Sequence, residues 1–586
     1  MSTSPRAPSF APSFAELYTP KLVTVLREGY GLAKFRADAF AGLTVAIVAL
    51  PLSMAIAIAS GVTPDRGLYT SIVGGFAVSA LGGSRFQIGG PAGAFIVLVA
   101  ATVQQHGVEG LILATFLAGV ILVTIGVLRL GVFIKYIPFP VTVGFTSGIA
   151  IIILASQIKE LLGLTLNGPE PGPFIPKLEA LGAALPSLNN AAVALSLLTI
   201  GAIAAVRRWR PHWPAFLIAT GLASIVAFLF ALPAETLGTR FGELPRTLPS
   251  PHLPAISFAK LTELLPAAVS FALLGSIESL LSAVVADSMS GRRHRSNAEL
   301  VAQGIANMAS ATFGGICVTG TIARTATNVR AGARGPISGM LHSAFLLLFM
   351  MVAAPLASYV PLAALGSVLA VVCWNMAEKH EFATLMRASR GDALVLLATF
   401  LIVVFRDLTT GILVGFGLGA ILFLHRMAQA VAVESASPLI EDDRADHAHR
   451  GGRRPYDASL ATDRDVFVCR ISGAFFFGAA ASVAAALDRI GEHPKAYVID
   501  FSAVPVIDST AAATIEGFAR KARRNQALVY VAGADPAVRR ILLTHGARRP
   551  LVRFKAELAD AVASARQELE ASTADKTPAS RLALKT

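Results

Sequence analysis

The chain has 586 residues, of which 54% are hydrophobic and 15% charged, with a mean hydropathy of +0.63. A soluble protein of this size carries about 25% charge, so one large water-soluble globule is excluded and a membrane protein is expected. Lys and Arg number 50 against 37 Asp and Glu, giving +13; in a membrane protein that excess belongs to cytoplasmic loops, and nucleic acid is not expected as a partner. Cys317, Cys373 and Cys469 are too far apart to suggest a disulfide framework or a zinc site. Residues 1–38 hold scattered Pro, Ser and charge without a short apolar core and cleavage site, so they read as a cytoplasmic segment rather than a removed leader.

A helix crosses a bilayer with roughly 20 apolar residues. Fourteen apolar stretches follow one another through a membrane domain over 39–430, at 39–60, 67–83, 91–104, 109–128, 138–162, 188–206, 214–231, 266–286, 296–314, 322–332, 336–357, 361–377, 391–406 and 409–429. The third and tenth are too short to cross. Each adjoins glycines that a continuous membrane helix rarely uses: Gly89-Gly90-Pro91-Ala92-Gly93, and Gly314-Gly315 through Gly320. Non-helical backbone at membrane depth has to be buried in protein or line a cavity. Lys and Arg are in excess in the loops assigned inside, notably Arg207-Arg208-Trp209-Arg210 and Arg292-Arg293-His294-Arg295, which puts both termini in the cytoplasm.

Tyr136-Ile137-Pro138-Phe139-Pro140 opens the fifth stretch, and Tyr359-Val360-Pro361-Leu362 opens the twelfth, 223 residues later. The same shift carries the break at Pro91 to Gly314. Two seven-segment halves fit this spacing, and because seven is odd the second half is inverted, as in many secondary transporters.

Half-helices meeting near the midplane would aim unpaired N–H groups and two positive dipole ends at one point, where an anion binds. Arg324 stands at the start of the tenth stretch, as a fixed positive charge for that anion or as one half of an intramembrane ion pair. Thr321 and Thr325 flank it with hydroxyls. Glu278, with Ser282 one turn further on the same face, carries a proton or balances a cation on one reading, and simply partners Arg324 on the other. Ser53, beside Pro51, is a weaker candidate because such serines bond back to their own helix. Asn297, Glu299, Gln303 and Asn307 read as packing groups.

Beyond about His425 the composition changes. A polar linker over 431–464 leads to a domain over 465–566, followed by a disordered tail, 567–586. Strands are expected at Val466 to Ile471, Ala496 to Phe501 and Leu528 to Ala532, with helices at 479–490, 509–524 and 535–545, an α/β alternation.

The sequence resembles the sulfate permease (SulP) anion transporters that carry a carboxyl-terminal STAS domain. The resemblance spans about residues 36 to 566. It rests on Gly67-Leu68-Tyr69-Thr70, Gly90-Pro91, Phe313-Gly314-Gly315 and Thr319-Gly320-Thr321-Ile322-Ala323-Arg324-Thr325, and in the tail on Ala474-Phe475-Phe476-Phe477-Gly478 and Ile507-Asp508-Ser509-Thr510-Ala511. It implies a mostly α-helical membrane protein of fourteen transmembrane segments in two inverted repeats, a core and a gate domain with elevator-like movement, plus a small cytoplasmic α/β STAS domain. It also implies a homodimer in the plasma membrane.

By the same resemblance the anion lies between the third and tenth half-helices, and the positions carried over are Ser53, Ala92, Glu278, Ala323 and Arg324; Pro91, Gly93, Thr321, Ile322 and Thr325 adjoin them as further candidates for the anion, and Ser282 joins Glu278 for a coupling ion. Where sodium-coupled members carry oxygens in the tenth segment, this chain has Ile322 and Ala323. A proton is therefore preferred over sodium, and no cofactor or metal is expected. Ser509 is a candidate phosphorylation switch, or a helix cap within Asp508-Ser509-Thr510.

The expected function is secondary active uptake of a small anion, sulfate first, with bicarbonate or a fumarate-like dicarboxylate as alternatives. Moving a dianion inward against 100 mV costs about 4.6 kcal/mol, so uptake needs a co-transported cation. An anion channel, or a sensor signalling through the STAS domain to a cytoplasmic protein partner, belongs to a different class. No catalytic motif supports an enzyme.

Overall fold

The structure is a computed structural model that describes residues 17–131, 138–168, 170–210, 213–255, 257–429, 432–435, 465–488 and 494–574. Tyr136, Ile137, linker residues 436–464 and tail residues 575–586 lie outside these. The chain divides into two compact units, Met1–Gly419 and Ala420–Thr586, each with its own hydrophobic core.

All fourteen apolar stretches fall on helix, and eight helices among the described residues are long and apolar enough to cross a membrane by length and composition. After α1 (Lys21–Arg27) and α2 (Leu32–Ala59), the second stretch is α3, built from Pro64–Tyr69, a π-helical turn at Thr70–Gly74, and Gly75–Leu81. The third stretch begins with the two-residue strand β1 (Gly89–Gly90) and a short 3-10 turn, Gly93–Phe95, before α4 (Ile96–Val127). The third and fourth stretches are thus one helical run, broken where Gly107 takes φ +68°, a conformation open to glycine without strain.

The fifth to eighth stretches are α5 (Phe139–Leu162), α7 (Asn190–Trp209), α8 (Ala215–Leu229) and α10 (Phe258–Ser290). Two short helices that carry no expected span, α6 (Phe174–Ala183) and α9 (Leu237–Phe241), lie between them. Then come α11 (Ser296–Thr312), the strand β2 (Thr319–Gly320), α12 (Ile322–Arg330), α13 (Ile337–Ala357) and α14 (Leu362–Met376). A surface helix, α15 (Lys379–Ala388), precedes α16 (Arg390–Phe405) and α17 (Leu408–Gln429).

The helices pack in two groups. In one, α2 lies along α13 and α4 along α10 and α11; in the other, α5 lies along α14 and α16, and α7 along α8 and α14. The repeat shows in the helix starts: Pro138 and Pro361 hold the N-cap of α5 and α14 with ψ of 140° and 139°. The 223-residue shift fails at the breaks, however. It puts Pro91 on Gly314, whereas the strand that matches Gly89–Gly90 is Thr319–Gly320, because the connections inside the two halves differ in length.

In the second unit, five strands stand in the order β3-β4-β5-β6-β7: Ala432–Ser435, Val466–Ser472, Ala496–Ala503, Leu528–Ala532 and Arg553–Lys555. β3 is antiparallel to β4 and the other pairs are parallel. Along β5, Tyr497, Ile499 and Phe501 join the core under α18 (Phe477–Asp488), α19 (Ser509–Arg524) and α20 (Pro536–Thr544). Ala496 and Val498 join the core under α21 (Leu558–Ala574). The period-2 alternation buries both faces of the sheet.

Two expectations change here. The sheet's first strand falls inside the stretch taken as linker, and α21 runs past 566 to Ala574. The cap of α19 is Asp508, not Ser509: its Oδ1 accepts from Ala511 N and its Oδ2 from Phe477 N, both at 2.9 Å, so one carboxylate serves the starts of α19 and α18. Ser509 is exposed in the first turn.

Cys469 lies in β4, fully buried, and burial together with nearby Asp500 pushes its thiol up to about 12. Iodoacetamide at pH 8 is expected to alkylate Cys469 about a thousandfold more slowly in the folded chain than in the unfolded one, since the thiolate reacts. Stoichiometric labelling of native protein, read by peptide mass spectrometry, would contradict this.

Candidate functional site

β1 and β2 pair antiparallel, Gly89 with Gly320 and Gly90 with Thr319. Two residues of strand span about 7 Å, so the chain leaves this ribbon at two close points and in opposite directions. One exit runs through Pro91 and Ala92 into Gly93–Phe95 and α4, the other through Thr321 into α12. Both helices therefore turn their amino ends toward the same ribbon.

Neither end is closed by a side chain. Ala92, the N-cap of the first, has no capping atom, and Thr321, the N-cap of the second, makes no capping bond. Threonine is a good capping residue, but the Thr321 hydroxyl is diverted to the carbonyl of Ile88 at 3.2 Å, beside the Thr321 N–H on the same carbonyl at 3.0 Å. The Ile88 N–H in turn donates to Thr325 Oγ1 at 3.1 Å, and Ser282 Oγ donates to that same atom at 3.1 Å. The two threonines that flank Arg324 are thus wall-builders that leave the first-turn N–H groups open.

Arg324 is 1% exposed. Its guanidinium donates from Nη1 to Ser71 Oγ at 3.2 Å and from Nη2 to Ser53 Oγ at 3.1 Å. The two serine oxygens are 2.8 Å apart, and Ser53 also donates to Ala49 O at 2.7 Å. Ser71 belongs to the π-helical turn of α3, a local widening frequent at functional sites. Nη1 presses so close to Gly90 that a Cβ there would collide with it. Among the described residues no acid pairs with Arg324 and its Nε has no partner. A lone buried cation behind the ribbon adds its field to the two helix ends, through a medium of low dielectric.

Ile322 and Ala323 are the exposed residues of the α12 start, while Pro91 and Ala92 are buried. Gly93 is half-buried and faces Ile153 of α5 and Met376 of α14, each about 4.0 Å from where its Cβ would stand. The ribbon's open side thus meets the second helix group.

Glu278, in α10, is 9% exposed and forms no ion pair with Arg324 among the described residues. One turn on, the Ser282 hydroxyl is committed to Thr325. The structure therefore bonds Ser53 to Arg324 and Ser282 to Thr325 as two separate pairs, and Glu278 forms no hydrogen bond or ion pair among the described residues.

Among the residues that hold the site, Ser279 and Gln87 escaped sequence reasoning, while Asn307 is the packing group expected. Ser279 Oγ accepts from Gly320 N at 3.2 Å and meets Thr319 Oγ1 at 2.8 Å; Gln87 donates to Ser279 O at 3.2 Å. Asn307 grips Val318 twice, giving Nδ2 to its carbonyl at 2.8 Å and accepting its N–H on Oδ1 at 3.0 Å. These are polar residues in apolar stretches, a signal that marks burial with a partner but not which partner.

Residues 35–399 match the Sulfate permease family and residues 457–561 match the STAS domain. The chain is 39% identical over 518 residues to a putative sulfate transporter, YvdB, of Bacillus subtilis (strain 168), spanning 88% of this chain and 94% of that one. It is 30% identical over 525 residues to the bicarbonate transporter BicA of Picosynechococcus sp., spanning 86% and 90%. A structure of the transmembrane domain of a cyanobacterium bicarbonate transporter BicA superposes with a TM-score of 0.59 at 31% identity, over 67% of this chain and 98% of that one. Murine Slc26a9 in the inward-facing state superposes with a TM-score of 0.83 over 96% of each chain, at 18% identity, a likeness of fold. The chain belongs to the sulfate permease family, and is a multi-pass membrane transporter, of a family of transporters rather than enzymes, that carries a STAS domain.

Proposed function

We propose that the chain imports a small oxyanion, sulfate first, together with protons. The observation that carries the reading is the pair of uncapped helix starts at one two-residue ribbon with an unpaired arginine behind it. Three sources of positive potential converge without a carboxylate to cancel them, which suits an anion and repels a cation. The ranking of sulfate follows the printed names of YvdB and similar relatives; bicarbonate is the second reading, favoured by the 30% identity to BicA.

Bringing a dianion in against 100 mV costs about 4.6 kcal/mol, and two protons would cancel it. Glu278 is the carrier this reading assigns, since it is a buried carboxyl with no ion pair among the described residues. The Ile322 and Ala323 side chains bring no oxygen for sodium. Because the ribbon's open side faces α5 and α14, the first helix group would carry the anion past the second, an elevator movement. The working unit would be a homodimer in the plasma membrane with both termini inside, as the basic loops favour. Exposed Ser509 remains a candidate modification site on the STAS domain.

Uptake of radiolabelled sulfate and bicarbonate into proteoliposomes, with an inward proton or sodium gradient, tests the function. Proton-driven accumulation of sulfate is expected; accumulation of neither, by protein that is folded, would remove the reading.

Arg324→Ala should weaken anion binding by about 10- to 100-fold, the worth of a hydrogen-bonded charge. Gly90→Ala should raise the KM by about tenfold while the protein stays monodisperse, since the added methyl meets only side-chain ends, the Arg324 guanidinium and the Ser71 hydroxyl. Wild-type uptake by either variant would show that the anion binds elsewhere. Glu278→Gln should keep anion counterflow yet lose proton-driven accumulation, and an unchanged response to the proton gradient would end its carrier role.

A further inference from the structure

A second positively charged site lies away from the ribbon, at the base of the same unit. An open cleft of about 310 Å³ is lined by Thr19, Thr24, Arg27, Glu28 and Arg295. At about 30 Å³ per water, it has room for roughly ten waters, ample for a tetrahedral oxyanion.

The charge around it is unbalanced. Glu28 is bound by Arg85, whose Nη1 donates at 2.7 Å, and the same bond holds the Glu28 carboxyl below the usual carboxylate range. Asp287 is taken by His294, through its N–H at 3.0 Å and Nδ1 at 2.7 Å. Both nearby acids are thus satisfied. Lys21, Arg27, Arg292 and Arg295 form no ion pair among the described residues. Half-buried Lys21 is held below the ordinary lysine range by burial, and then by Arg295 and Arg85. Cations kept together at a partly buried place repel one another, and an anion among them relieves that repulsion.

The cleft is joined to the ribbon by the main chain: Arg295 N donates to Gly83 O at 3.0 Å, and Lys21 N, two residues beyond Thr19, donates to Gly82 O at 2.9 Å. The buried Glu299 carboxylate accepts the next N–H, from Ser84, at 2.9 Å. Four residues on, the chain reaches Ile88 and β1. Leu26 and Leu32 stand exposed on the same stretch, where lipid tails would cover them.

We propose that this cleft is a binding site for a phosphate-bearing anion, separate from the transport site, with Arg27 and Arg295 as its cationic ligands. Arginine suits phosphate by its planar fork, and the Thr24 hydroxyl can complete the shell. The phosphate can come from a lipid headgroup or from solution, and occupancy would stiffen the loop that carries β1.

The test uses the full chain in nanodiscs, with the Tm read by intrinsic fluorescence. In one arm inorganic phosphate is titrated into phosphatidylcholine discs at constant ionic strength; in the other, phosphatidylglycerol replaces part of the lipid. A saturable rise in Tm is expected in at least one arm, the first assigning a soluble source and the second a headgroup. Its midpoint should move by about tenfold in Arg27→Gln or Arg295→Gln and persist in Arg324→Ala. No rise in either arm, or a rise of equal midpoint in both cleft variants, would overturn the proposal. Loss of the rise in Arg324→Ala would also overturn it, by assigning the effect to the transport site.

Discussion

Backbone N–H and C=O groups have no water to bond at membrane depth, and the site of this protein is built on that constraint. Two helices begin inside the first unit, so two segments of extended backbone lie where helix cannot satisfy them. They satisfy one another, through the antiparallel pairing of Gly89–Gly90 with Thr319–Gly320. Side chains from the surrounding helices finish the work: Asn307 bonds both backbone groups of Val318, Ser279 takes the N–H of Gly320, and Thr321 and Thr325 serve Ile88. With the extended backbone satisfied, the N–H groups left over are those of the two first turns, and these are what an anion needs.

The same economy explains Arg324. A buried cation without a carboxylate is costly unless hydrogen bonds hold it. Here Ser53 from α2 and Ser71 from α3 supply them. An acid in their place would neutralise the charge and cancel the field at the helix ends. Neutral hydroxyls keep the charge and fix its position, and Gly90 lets the guanidinium lie flat behind the ribbon. Glu278 forms no ion pair with Arg324, so it leaves this arrangement uncancelled.

The second unit follows ordinary α/β logic. Its buried strands alternate between two cores, and the carboxylate of Asp508 ties the starts of two helices together. Ser509 is left exposed beside that carboxylate and takes no part in the cap.

The sequence by itself determined the membrane class, the helical stretches, the two glycine-interrupted breaks, and the strands β4, β5 and β6, because each is a local matter of composition and period. It also singled out Arg324 and Glu278, since charge in an apolar stretch is conspicuous wherever it points. Tertiary structure alone decided what bonds to what. The pairing of Gly89 with Gly320, the role of Ser71, the diversion of the Thr321 hydroxyl and the separation of Arg324 from Glu278 all join residues distant in sequence. The edge strand Ala432–Ser435 was equally invisible, because four residues held by backbone hydrogen bonds to β4 need no side-chain pattern. Local pattern fixes which groups must be satisfied, and packing chooses the partner.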